Sequence, residues 1–190
     1  MIPVRSFARG KSRLAGVLDR DEREAFVRAL AERALDAAGA HPTAVVTAAP
    51  EVVAWAQARG VEVVADPGSL DGAAAAGRDW AASRGCERVV VVHADLPDIV
   101  DLDAVTGAGA APVAVLVPDH HDDGTPVLSV PVAAPFTFAY GPGSFARHCA
   151  AATAAGLALE IVRDAALRFD VDDADDLAIV LARRGAQPDR

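Results

Sequence analysis

Arg88-Val89-Val90-Val91-Val92-His93-Ala94-Asp95-Leu96-Pro97 is the stretch whose reading decides the fold. The unbroken valine run leaves no alternation of apolar and polar positions, so both faces of the strand it forms must be buried. β-Branched side chains over so short a span favour a strand over a helix. The run predicts a central parallel strand covered by helices on both sides. Ligands bind such sheets outside the carboxyl ends of the strands. Asp95 stands at that end, placed to ligate a hard cation such as Mg²⁺ or to cap a following helix. His93, two positions earlier on the same strand face, reads as a packed histidine.

Outward from this strand, short apolar β-branched runs alternate with helical patterns. Strands are expected at 2–7, 44–47, 61–65, 89–92 and 113–117. Helices are expected from Asp19 to about residue 38, and over 51–59, 70–84 and 101–107. After Asp122-Asp123-Gly124, a turn signal, the rhythm changes. Strands near 127–130 and 136–139 follow, then a helix over 144–155, a strand near 159–162 and a last helix over 174–184. The fold class is α/β: one domain over 1–190 with a mostly parallel sheet, helices on both faces and a mixed C-terminal extension.

Composition bounds the function. The 190 residues are 52% hydrophobic and carry a net charge of −9, which disfavours nucleic acid or an anionic membrane surface as partner. No secretory signal or membrane span is visible, and Cys86 and Cys149 lack metal spacing and read as reduced thiols. A cytoplasmic protein is expected.

Against this acidic background, Arg5-Ser6-Phe7-Ala8-Arg9-Gly10-Lys11-Ser12-Arg13 collects four cations in nine residues directly after the first strand, and Lys11 is the only lysine in the chain. A glycine beside Lys11 and Arg13 suits a polyphosphate, or simply a solvated basic loop. Neither a dinucleotide fingerprint nor a P-loop is present. Phe169-Asp170-Val171-Asp172-Asp173-Ala174-Asp175-Asp176 places Asp170 and Asp172 on one face of a strand, with Asp173 as a helix cap. Two carboxylates on one face repel unless a cation lies between them, and with Asp95 they are candidates to hold one or two Mg²⁺ ions. By the same logic, Asp95→Asn is expected to leave thermal stability unchanged or raised. Gly141-Pro142-Gly143-Ser144 before a helix is an anion-site candidate with Ser144 as its cap, and equally a plain turn. His120-His121-Asp122-Asp123 reads as a surface turn.

Taken together, Pro3-Val4, Lys11-Ser12-Arg13-Leu14, Ala94-Asp95-Leu96-Pro97, Gly124-Thr125, Gly141 with Gly143-Ser144-Phe145 and His148, and Asp170-Val171-Asp172 with Asp175-Asp176-Leu177 resemble a known family in order and spacing. The resemblance is to the phosphoenolpyruvate / 2-phospho-L-lactate guanylyltransferases of deazaflavin coenzyme (F-420) biosynthesis, with a nucleotide-diphospho-sugar transferase-like fold. It implies GTP as donor, a small phosphorylated carboxylic acid as acceptor and Mg²⁺ as cofactor. It implies Asp95, Asp170 and Asp172 as metal ligands, Lys11 and Arg13 on the triphosphate, and Thr125, Gly141 and Ser144 on the acceptor's carboxylate. Three positions depart from the family: Pro126 stands for an asparagine, Arg5 for a lysine and Asp71 for an asparagine. Asp71 could accept from guanine N1–H and N2–H₂. Other readings are a nucleotidyltransferase for a molybdopterin or sugar phosphate, and a non-catalytic nucleotide-binding module.

Overall fold

A computed structural model describes residues 1–107 and 111–185. Its strands are β1 (Ile2–Pro3), β2 (Ala44–Thr47), β3 (Glu62–Ala65), β4 (Arg88–Val92), β5 (Val113–Val117), β6 (Val127–Pro131) and β7 (Ala158–Ile161). Its helices are α1 (Arg20–Ala37), α2 (Pro50–Ala58), α3 (Leu70–Ser83), α4 (Asp103–Thr106), α5 (Ser144–Ala154), α6 (Ala165–Arg168) and α7 (Ala174–Gly185), with a 3₁₀ turn at Ser12–Gly16. No described helix is long and apolar enough to cross a membrane.

β1, β2 and β3 form a parallel group in the order β1-β2-β3, and the others a mixed group in the order β4-β6-β5-β7. Met1 joins them. Its nitrogen donates to Val90 O at 2.6 Å, and its carbonyl accepts from Val92 N–H at 3.1 Å. One residue bonded to both neighbours of Val91 is the parallel pattern. The strand order therefore reverses between β1 and β4, a topological switch point.

The valine strand β4 is parallel to β1 but antiparallel to β6, so the expected all-parallel setting holds on one side only. An apolar run reports burial of both faces, not the direction of the neighbours. Alternate strand residues feed two cores. Val45, Val92, Val115 and Val117 join Val27, Ala31, Val52 and Trp55 of α1 and α2. Val46, Val89, Val91, Ala114 and Leu116 join Ala73, Ala74 and Ala152 of α3 and α5. Helices thus cover both faces, as the pattern predicts.

One expected strand is absent: residues 136–139 carry no ladder. The Phe136 carbonyl instead accepts from Arg78 at 2.7 Å, Ala139 N–H donates to His148 Nε2 at 3.0 Å, and Tyr140 N–H donates to Asp71 at 2.6 Å. Side chains take the bonds that a partner strand would supply. Cys86 and Cys149 are free thiols.

The start of α1 follows local rules closely. Asp19 Oδ1 accepts from Glu22 N–H at 2.8 Å and Glu22 Oε2 from Asp19 N–H at 2.9 Å, a reciprocal capping box. Asp19→Ala removes one half of it and is expected to cost roughly 1 kcal/mol, read as a lower midpoint in denaturant with an unchanged slope.

Candidate active site

The switch point brings together the segments leaving β1 and β4. β1 leads into Arg5–Lys11, and β4 into His93–Pro97. Because β6 runs antiparallel to β4 with Val92 opposite Val127, the residues before β6, Thr125 and Pro126, arrive at the same edge. Pro126 O accepts from His93 N–H at 2.9 Å and fixes this approach.

Lys11 occupies the centre. It lies at φ 50°, a left-handed conformation unusual for a side-chain-bearing residue, and opens the 3₁₀ turn. Gly10 before it allows close packing, since a Cβ there would meet Val27 Cγ2 at 3.0 Å and Ser6 O at 3.1 Å. Lys11 Nζ donates to Asp95 Oδ2 at 2.7 Å and to Asp172 Oδ1 at 2.9 Å. Burial alone would depress its pKa, but the two carboxylates overcome this and hold the ammonium above its ordinary value. Arg13 is exposed, with a guanidinium nitrogen 3.9 Å from Asp172 Oδ2.

Asp170 and Asp172 arrive on an extended segment that forms no strand, contrary to expectation, yet the alternation survives. Val171 is fully buried between them beside Leu14 and Leu177, and its N–H donates to Asp95 O at 3.2 Å. Asp173 caps α7, as its position suggests, by accepting from Asp175 and Asp176 N–H. One oxygen from each of Asp95, Asp170 and Asp172 lies within 4.8 Å of the others.

The charges are distributed unevenly. Burial would raise Asp95, but Lys11 and then His93 hold it below the usual carboxylate range. Asp170 has no lysine partner. Burial, reinforced by the charges of Asp95 and Asp172, pushes it up to about 7. His120 lies beside it, with Nδ1 3.5 Å from Asp170 and Nε2 3.8 Å from Asp176. The 119–124 segment is a turn, as expected, with Asp119 accepting from the N–H groups of His121, Asp123 and Gly124. The turn aims His120 inward, a placement that adjacent polar residues in a sequence do not announce.

The residues fit a divalent cation. Asp95 Oδ1 is buried without a hydrogen-bond partner among the described residues, and the donor set is all carboxylate oxygen, the class that Mg²⁺ takes.

Thr125 and Ser144 are buried together, with hydroxyl oxygens 3.3 Å apart. Ser144 is not the cap of α5. That position is Gly143, at φ 70°, and no side chain caps the helix. Asp123 accepts from the N–H groups of Gly143 and Phe145, and Ser144 N–H donates to Gly141 O at 2.9 Å, closing the Gly141–Ser144 turn. The anion site expected from these amides is therefore already spent within the fold, and the hydroxyls are the donors that remain for a ligand. Asp71, in the first turn of α3, gives Oδ1 to Tyr140 N–H at 2.6 Å. Its Oδ2 carries no such bond to the backbone of Tyr140.

A cleft of about 410 Å³ lies at the ends of β1, β2 and β3, lined by Arg5, Ser6, Arg9, Gly10, Ala48 and Asp66. A separate cavity of about 240 Å³ opens at the opposite edge beside Met1, Cys86 and Leu102, away from the carboxylates.

Comparison with known proteins gives a consistent result. The sequence matches the model of the CofC-like guanylyl transferases over residues 1–187. It is 37% identical over 184 residues to a phosphoenolpyruvate guanylyltransferase of Sphaerobacter thermophilus, covering 93% of this chain and 89% of that protein. It is 34% identical over 194 residues to a 3-phospho-D-glycerate guanylyltransferase of Phenylobacterium zucineum, covering 96% and 88%. A solved structure from Desulfovibrio desulfuricans G20, described as a nucleotide-diphospho-sugar transferase, superposes with a TM-score of 0.78 at 18% identity, covering 98% and 86%. The last likeness is one of fold, and it bears out the fold class read from the sequence.

The charge distribution reverses one expectation. The attraction of Asp95 to Lys11 outweighs its repulsion of Asp170, so Asp95→Asn should not stabilise the protein. The unrelieved repulsion is at Asp170. Its folded pKa lies above the unfolded value, so its contribution is favourable below about pH 4 and is lost as pH rises toward 7. In chelating buffer at about pH 8, Asp170→Asn should raise the thermal midpoint, with a gain of at most about 4 kcal/mol, and flatten the loss of stability across that window. Lys11→Met should lower the midpoint. Thermal melts across pH check both signs.

Proposed function

The chain belongs to the CofC-like guanylyl transferase family, and from that premise we propose that it transfers GMP from GTP to the phosphate of phosphoenolpyruvate, releasing pyrophosphate. The reading rests above all on the meeting of Asp95, Asp170, Asp172 and Lys11 at the switch point between β1 and β4. The cleft beside Arg5, Arg9 and Gly10 receives the triphosphate, with the base toward Ala48 and Asp66. The three aspartates would hold Mg²⁺. Bound there, the ion would neutralise charge on the reacting phosphates and align them. Lys11, tied in this structure to two of those carboxylates, would hold the triphosphate, with Arg13 at the rim.

An acceptor phosphate oxygen attacks the α-phosphorus of GTP in line. A P–O bond forms, the bond from the α-phosphorus to its β-bridging oxygen breaks, and pyrophosphate departs with that oxygen. A phosphate monoester is largely dianionic at neutral pH, so the attack needs no general base. The hydroxyls of Thr125 and Ser144, beside the Gly141 turn, receive the acceptor's carboxylate. A planar, conformationally restricted acid loses little rotational freedom on binding, which ranks phosphoenolpyruvate above 2-phospho-L-lactate. The name of the Sphaerobacter relative supports the same choice. The product would serve deazaflavin coenzyme biosynthesis in the cytoplasm.

Pyrophosphate release from GTP, measured with Mg²⁺ against phosphoenolpyruvate, 2-phospho-L-lactate and 3-phospho-D-glycerate, tests the proposal. The highest kcat/KM is expected for phosphoenolpyruvate. Faster turnover of either other acid would overturn the acceptor assignment, and no release with any of them would overturn the reaction. Asp95→Asn should abolish turnover. Ser144→Ala should lower acceptor kcat/KM by about 1.5–3 kcal/mol in transition-state terms, leaving the GTP KM unchanged.

A further inference from the structure

His148 is fully buried on α5, one turn beyond Ser144, and the charge cluster makes no use of it. Its Nε2 accepts from Ala139 N–H at 3.0 Å, and its Nδ1 lies 3.0 Å from Thr125 Oγ1. A backbone amide can only donate, so Nε2 must carry the lone pair. The proton of the neutral ring then sits on Nδ1 and points at Thr125. Burial pushes His148 down to about 4, so the ring is neutral at ordinary pH. Tyr140, edge-on at 4.7 Å, and Phe136, at 5.8 Å, hold its plane.

Thr125 Oγ1 thus receives a hydrogen from the ring and must send its own proton elsewhere. The acceptor within reach is Ser144 Oγ, 3.3 Å away. The chain runs in one direction, from Ala139 N–H through His148 and Thr125 to Ser144, and Ser144 keeps the hydroxyl proton that the chain does not consume. Without the ring, Ser144 could equally donate to Thr125 and turn a lone pair outward. For an incoming carboxylate that reversal exchanges attraction for repulsion. Thr125 and Ser144 keep only 1% and 2% of their surface exposed, so little water is at hand to correct a wrongly directed pair.

We propose that His148 is a positioning residue for the acceptor: it sets the direction of the Thr125–Ser144 hydroxyl pair so that Ser144 offers hydrogen to the substrate's carboxylate. This rests on the reading of Thr125 and Ser144 as the carboxylate end of the acceptor site.

Tautomer and substitution together test it. In the unsubstituted protein, the imidazole ¹⁵N shifts of His148 should show the Nδ1–H tautomer near neutral pH, and an Nε2–H tautomer would overturn the proposal. His148→Asn can keep a donor where Nδ1 stood, whereas His148→Gln keeps an acceptor where Nε2 stood and loses the donor. His148→Gln should raise the acceptor KM about tenfold, the scale of one misdirected hydrogen bond, with the GTP KM unchanged, and His148→Asn should recover most of the loss. Equal losses in both, in step with their melting temperatures, would make His148 a packing residue only. Thr125→Val cuts the chain with the histidine in place, so an acceptor KM raised as in His148→Gln is expected even where a His148 variant fails to fold. If Ser144→Ala and Thr125→Val both leave the acceptor KM unchanged, the acceptor site itself is misassigned, whatever tautomer the ring shows.

Discussion

The parallel pairing of Met1 with the Val90–Val92 segment governs everything at the carboxyl edge. It sets β1 beside β4, and so brings the loop after one against the loop after the other. Without that register, Lys11 and Asp95, 84 positions apart in the chain, would have no reason to meet. The cores on the two sides of the sheet hold this register, because a slip of one residue would send Val91 and Val92 to the wrong faces.

Given that meeting, the site is an exercise in charge balance. Asp95, Asp170 and Asp172 would repel one another in the folded state, and Lys11 neutralises the repulsion at two of them. The remainder falls on Asp170, with His120 alongside. The third hydrophobic cluster, where Leu14 from the lysine loop packs with Val171 and Leu177, presses these charges together. Apolar burial thus offsets the electrostatic cost of keeping the cluster assembled.

Much of this was legible in the sequence because local rules governed it. The valine run, the Asp19 cap and the alternation around Val171 each depend on neighbours a few positions away, and the structure follows them. What failed to show depends on distant partners. Phe136 and Phe138 alternate as a strand would, but Arg78, His148 and Asp71 take up the backbone around them, and nothing local signals that. The amides expected to bind an anion before α5 are claimed by Asp123, twenty positions upstream of Gly143. The same blindness hid the inward turn of His120 and the reach of Lys11 to Asp172. The three aspartates were legible as candidates from a strand end and a two-residue alternation, with the family resemblance in agreement, and the fold brings them within 4.8 Å of one another.

The reversal of β6 has a consequence for how such a protein can change over time. Arg5, Arg9, Lys11, Ala48, Asp66 and Asp95 all precede residue 96, whereas Thr125, Gly141, Ser144 and His148 fall within a later stretch that reaches the same edge from the other direction. On the proposed assignment, the acceptor's residues fall in one contiguous length of gene, set between the segments of Lys11 and Asp95 before it and of Asp170 and Asp172 after it. Drift confined to that inserted length would retune which acid is taken while the flanking lysine and carboxylates are inherited unchanged. A lineage built this way would diversify its acceptors without reinventing its donor.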